Sequence, residues 1–105
     1  MQRKKIQLSL KKELKQVDIY IFGSFLSSMK PNDIDLIVIY DSTVYKRDSI
    51  YWYCLNLIDQ IRQKTGLPVD VTYLSTDEEV DNRFVETVNA VSITTSFIIH
   101  IENDI

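Results

Sequence analysis

A single cysteine, Cys54, stands among the 105 residues, so no internal disulfide is available and nothing calls for an oxidising compartment. Two glycines and two prolines leave no linker rich in Pro, Gly or Ser, and no internal repeat or low-complexity stretch divides the chain. Residues 1–105 are therefore expected to form one domain. Long apolar runs are missing as well. The longest, Ile34 to Tyr40, is interrupted by Asp35 and is far too short to span a bilayer. The opening residues lack the continuous apolar stretch of a signal peptide. A cytoplasmic protein with no membrane partner is the expectation. Nor is there an excess of basic charge: the net charge of −3 does not indicate nucleic-acid binding by the chain as a whole. Histidine occurs once, as His100 among Ile98, Ile99 and Ile101, and reads as a structural or surface residue rather than a catalytic base.

What is present is the composition of a folded domain, 45% hydrophobic and 26% charged, which argues against disorder. Ile6, Leu10 and Leu14 recur at i, i+4 and i+8, which predicts a helix over residues 3–15. On that reading Arg3, Lys4, Lys5, Lys11, Lys12 and Lys15 form a solvated helix face, the alternative being a local patch for RNA or another polyanion. Residues 17–22 are β-branched and aromatic and predict a strand ending at Gly23. The polar segment 24–32 can open with a short helix and is closed by Pro31.

Residues 34–40 read as a strand buried on both faces, with Asp35 as the exception that needs a reason. Ile50, Cys54, Leu57 and Ile61 give the stripe of a helix over 46–64, closed by Gly66 and Pro68. Cys54 on that stripe reads as a buried, inert thiol. Trp52 falls on the opposite side with Tyr51 and Leu55 between, either covered by the C-terminal segment or free for a partner or second copy. Residues 69–74 form a third strand carrying Asp70 between Val69 and Val71. Ser75 or Thr76 can cap a further helix, with Glu78 or Glu79 completing a capping box, to about Val88. Residues 90–101 read as extended. The order of elements predicts an α/β (α+β) fold, a small mixed sheet of about three to five strands with helices packed against it. The connection from 34–40 to 69–74 is long enough for a parallel crossover.

Three carboxylates stand where packing alone would not place them. Asp33 and Asp35 are two residues apart at the start of a strand, so both project to the same face. Like charges held so close repel unless a cation lies between them. Asp70 joins them if its strand pairs beside the second. Three carboxylates without a nearby histidine or cysteine suit Mg²⁺ or Mn²⁺ better than zinc. A pair of such ions can clamp the attacking and leaving oxygens of an in-line displacement. Gly23-Ser24 at the end of the first strand allows a tight turn and close approach by a ligand, with Ser24 and the following N–H groups as donors to phosphate. An ordinary turn and strand-end aspartates would be the bland explanation of the same residues taken one at a time.

Ile21-Phe22-Gly23-Ser24, then Asp33-Ile34-Asp35-Leu36, then Val69-Asp70-Val71 resembles the motif order of the polymerase-β-type nucleotidyltransferase superfamily, over roughly residues 17–75. The small size is similar to the minimal nucleotidyltransferases of bacteria and archaea. The resemblance implies that Gly23 and Ser24 hold the terminal phosphates of a nucleoside triphosphate, with ATP the expected one. It implies that Asp33, Asp35 and Asp70 are both metal ligands and catalytic residues, for Mg²⁺ or Mn²⁺. It further implies transfer of a nucleoside monophosphate to a hydroxyl with release of pyrophosphate. The loop 25–32 is shorter than in many members and lacks their Arg-Gly, so Lys30 stands in as the phosphate partner, a point charge rather than a fork.

So short a chain has no evident acceptor-binding domain. The expected partner is a helical HEPN-like protein, with this chain as the antitoxin of a toxin–antitoxin pair that modifies its partner, or else a second copy. The alternatives are a catalytically weak or inactive nucleotidyltransferase-like binding module that neutralises a partner or senses nucleotide, and a structural subunit that uses Trp52 and Leu55.

Overall fold

The computed structural model describes residues 4–102. It builds a mixed α+β fold from a four-stranded sheet, a two-stranded sheet and four helices. Strand β1 spans Ile6–Leu10, β2 Val17–Phe22, β3 Ile34–Tyr40, β4 Val69–Ser75, β5 Val91–Ser92 and β6 Phe97–Ile101. Helix α1 spans Ser24–Ser27, α2 Arg47–Thr65, α3 Thr76–Asn82 and α4 Phe84–Thr87, with a 3₁₀ turn at Ile93–Thr95. The larger sheet has the order β4-β3-β2-β5. Its β3 and β4 run parallel, as the 28-residue crossover between them (41–68, containing α2) permits. The other two pairings, β2 with β3 and β2 with β5, are antiparallel.

Helix α2 is fixed at its C-terminus by Gly66, whose left-handed backbone (φ 70°) lets its N–H reach the Arg62 carbonyl. Its buried residues Ile50, Cys54, Leu57, Ile58 and Ile61 cover one face of the large sheet, where Ile19, Ile21, Ile34, Leu36 and Val38 converge. Leu8 of β1 and Phe97 of β6 complete the same core.

The N-terminal segment is a strand and not a helix. From Lys4 to Lys15 the described chain makes β1 and then a loop (residue 3 lies outside the described residues). Ile6-Gln7-Leu8-Ser9-Leu10 alternates strictly, so its apolar side chains satisfy a period of two as well as the four-residue spacing of Ile6, Leu10 and Leu14. What decides is the partner: β1 pairs in parallel with β6, Leu8 beside Ile99. Its other edge is closed by α2, where the Gln60 amide both donates to the Ser9 carbonyl and accepts from the Ser9 N–H, and Lys64 donates to the Gln7 carbonyl.

The helix expected to reach Val88 stops earlier. Ser75 and Glu78 form the capping box at its start. It ends at Asn82 because Arg83 turns into the left-handed region (φ 48°). The Glu79 carboxylate then accepts the N–H groups of Phe84 and Val85 and so restarts the chain as α4. The expected extended segment 90–101 is two strands, β5 and β6, divided by the 3₁₀ turn. Its strand β6 pairs with β1 and leaves Trp52 uncovered, 70% exposed beside Tyr51. Among the described residues no helix is long and apolar enough to cross a membrane.

Candidate functional site

Side chains directly opposite each other on neighbouring strands share a face of the sheet. Leu36 and Val38 of β3 point at α2, so Asp35, Ile37 and Ile39 point the other way. The register then lays out the second face row by row. Phe22 lies opposite Asp35, and Asp35 opposite Asp70. Tyr20, Ile37 and Thr72 form the next row. The acidic row sits at the end of the sheet where β3 begins, next to the turn that follows β2.

Asp33 lies just ahead of β3 and is two residues from Asp35, so the expected same-side projection is realised. Asp33, Asp35 and Asp70 each offer a carboxylate oxygen within 4.8 Å of the other two. Asp33 and Asp35 are half-buried and Asp70 is exposed. Burial pushes the Asp35 carboxyl above its usual range, and the charges of Asp33 and Asp70 push it further in the same direction. A carboxylate such as Asp35, whose ionised form is disfavoured by burial and by its acidic neighbours, gains from a cation. Three hard oxygen donors, with no thiolate or imidazole among them, fit a divalent ion of the Mg²⁺ or Mn²⁺ kind.

Gly23 is part of this arrangement in a way its role in a phosphate turn does not capture. Its backbone adopts φ 86°, ψ −157°, a region open essentially to glycine alone. A Cβ built there would stand 2.6 Å from Oδ2 of Asp35. The missing side chain is therefore the space in which the Asp35 carboxylate sits. Gly23 also accepts the Leu26 N–H, which closes the turn into α1. Ser24 follows at the start of α1, half-buried, and among the described residues nothing hydrogen-bonds its hydroxyl. Lys30 is exposed on the loop after α1, its N–H donated to Ser28 Oγ, and it makes no ion pair with the three aspartates.

One feature escapes local sequence reasoning. Phe84 of α4 packs edge-on against Phe22, ring centroids 5.8 Å apart at 88°, and so walls the acidic row at its Phe22 end. No motif marks Phe84, because its position depends on the chain break at Arg83 and on Glu79 recapping α4. His100 stays away from this face: it lies on β6 and meets Gln7 through Nε2 at 3.0 Å. Cys54 is fully buried against α2's sheet face, and burial pushes its thiol up to about 11, so it stays protonated and unreactive.

Residues 4–93 match the family model described as "Polymerase beta, Nucleotidyltransferase". No curated protein and no solved structure matches the chain.

Proposed function

From the premise that this chain belongs to the polymerase beta nucleotidyltransferase family, we infer that it moves a nucleoside monophosphate from a nucleoside triphosphate, ATP by expectation, to a hydroxyl acceptor. The observation that carries this reading is the convergence of Asp33, Asp35 and Asp70 within 4.8 Å, with the Gly23-Ser24 turn against Asp35. Asp33 and Asp35, with Asp70 as the exposed member at the β4 edge, would hold the divalent ions. A bound Mg²⁺ or Mn²⁺ would supply charge neutralisation to the phosphates for an in-line displacement. Gly23, Ser24 and Lys30 bind the terminal phosphates. The acceptor oxygen bonds to the α-phosphorus as the bond from that phosphorus to the bridging oxygen breaks. Pyrophosphate leaves, and Asp70 takes the acceptor's proton. Phe22 and Phe84 keep bulk water from one side of the row.

The acceptor is read as a partner protein, a helical HEPN-like toxin with this chain as its antitoxin. The exposed Tyr51, Trp52 and Tyr53 on α2 support a protein contact, with a homodimer as the other use of that face. A single cytoplasmic domain is consistent with a lone cysteine that is buried and inert.

Incubation with each of the four common labelled triphosphates in Mg²⁺ and in Mn²⁺ tests the reading. Metal-dependent incorporation is expected, with a fall of about 10³-fold or more in Asp33→Ala with Asp35→Ala, equivalent to about 4 kcal/mol of transition-state stabilisation. Full incorporation by that double variant contradicts the roles given to these residues. A second reading, an inactive binding module, draws on the short loop 25–32 without arginine. It is favoured if partner binding in calorimetry is indifferent to metal, nucleotide and the aspartates and no triphosphate is turned over.

A further inference from the structure

The segment after α3 is held by one side chain. The backbone carbonyl of Glu79 accepts the Arg83 N–H at 2.7 Å and ends α3. Its carboxylate reaches past that end, accepting the Phe84 N–H through Oε2 at 3.2 Å and the Val85 N–H through Oε1 at 2.9 Å. Between these bonds Arg83 sits in the left-handed region (φ 48°), which a residue with a side chain rarely adopts. Asn89, beyond the far end of α4, is left-handed as well (φ 56°). Helix α4 has four residues, too few to hold a helical turn by their own hydrogen bonds. One side of it is not packed: an open hollow of about 800 Å³, lined by Tyr20, Ile39, Glu79, Val80, Arg83 and Val85 among others, runs beside it.

What α4 carries to the acidic row is Phe84. Its ring meets Phe22 edge-on, and Phe22 is the residue opposite Asp35. Both rings are half-buried, so each keeps part of its surface open. The row thus has unlike ends: an exposed carboxylate, Asp70, on β4 and two phenyl rings on the β2 side. A nucleoside triphosphate has unlike ends too. Its phosphates suit the Gly23-Ser24 turn and the cations of the acidic row, and its flat base gains most from an aromatic ring.

We propose that Glu79 is a positioning residue of the site: by holding α4 it fixes Phe84 beside Phe22, and the two rings take the nucleoside part of the nucleotide. Glu79 acts through Phe84, since both its carboxylate oxygens are committed to the backbone of α4. This role rests on the reading of the acidic row as a nucleotide site, and does not require the nucleotide to be transferred.

The test measures, by calorimetry in Mn²⁺, the affinity of the full chain for tripolyphosphate and for the α,β-methylene analogue of ATP, which binds without being transferred. The difference between the two ligands isolates the nucleoside. Glu79→Ala should weaken the analogue by about tenfold, the worth of one stacked base, and tripolyphosphate by less than about twofold. Glu79→Gln keeps the side-chain length and one carbonyl acceptor, so it should fall between wild type and Glu79→Ala, and it carries the test if Glu79→Ala does not fold. Phe84→Leu should weaken the analogue as Glu79→Ala does, and the double variant by no more than about twofold beyond either, because both remove one contact. Ser75→Ala, which loosens the other end of α3, should change neither affinity. Equal weakening of both ligands by the Glu79 variants makes Glu79 merely structural and overturns the proposal. So does additive loss in the double variant, an unchanged affinity for the analogue, or a wild type that binds the two ligands equally. Incorporation of labelled nucleotide is assayed separately. A chain that binds the analogue in this way and transfers nothing loses the transfer reaction and keeps the role of Glu79. Transfer with an unaltered KM for nucleotide in Glu79→Ala keeps the reaction and loses the role.

Discussion

The two faces of the four-stranded sheet follow opposite rules. The face under α2 carries Ile19, Ile21, Leu36 and Val38 with no charge and almost no exposure, and each side chain there lowers the free energy of the fold. The face across from it carries Asp35 opposite Asp70, an Asp35 carboxyl whose ionised form is disfavoured, and a glycine in a conformation that other residues resist. One strand, β3, serves both, because successive side chains leave it on opposite sides. The lesson is a division of labour at single-residue resolution: Leu36 and Asp35 are neighbours in sequence, yet one belongs to stability and the other to the proposed chemistry.

That contrast can be broken first from the packed side. Phe97→Ala removes a fully buried ring from the core and should cost about 3–5 kcal/mol in denaturant unfolding. Whatever protein remains folded should keep its divalent-ion affinity. From the other side, Gly23→Ala should lower nucleotide transfer by about 10²-fold, since the new Cβ displaces the Asp35 carboxylate and small misplacements at a reacting site are costly. Its effect on unfolding should be only about 1–3 kcal/mol. Ser75→Ala deletes one half of the capping box and should cost about 1 kcal/mol without touching transfer.

Asp35→Asn sharpens the comparison because it should separate stability from activity. A carboxyl raised in the folded state contributes stability below its unfolded pKa, and that contribution is lost as pH rises through its folded pKa. Metal-free wild type should therefore lose stability relative to Asp35→Asn as pH climbs above the usual carboxylate range. The melting temperature of the variant should be the higher of the two at pH 7 in EDTA, while its transfer activity should be lost. Equal pH profiles for the two proteins would remove the electrostatic cost assigned to the acidic row.

Most of the second face was legible before any coordinates. The spacing of Asp33 and Asp35 sets their common side, and the near-continuous apolar run of β3 places them at the start of a buried strand. The long crossover containing α2 allows β4 to lie parallel, which brings Asp70 opposite Asp35. These are local or nearly local inferences. The errors arose where a distant partner decides. Ile6, Leu10 and Leu14 suit a helix as well as a strand, and only pairing with β6, some ninety residues on, selects the strand. The early end of α3 depends on Glu79 reaching Phe84 and Val85, a contact that propensity does not describe. Trp52 was left open by the sequence for a related reason, since the segment available to cover it is engaged with β1. The dual role of Gly23 was half visible: a turn could be inferred, but not that Asp35 occupies the volume of its absent side chain.

The most direct measurement is a Mn²⁺ titration followed by electron paramagnetic resonance on the wild type and on Asp35→Asn and Asp70→Asn, without nucleotide. If the three carboxylates share an ion, each substitution weakens Mn²⁺ binding by about tenfold or more, although the two residues lie on different strands. Unchanged affinity in Asp70→Asn would contradict a shared site, leaving the β4 aspartate as a bystander on an exposed edge.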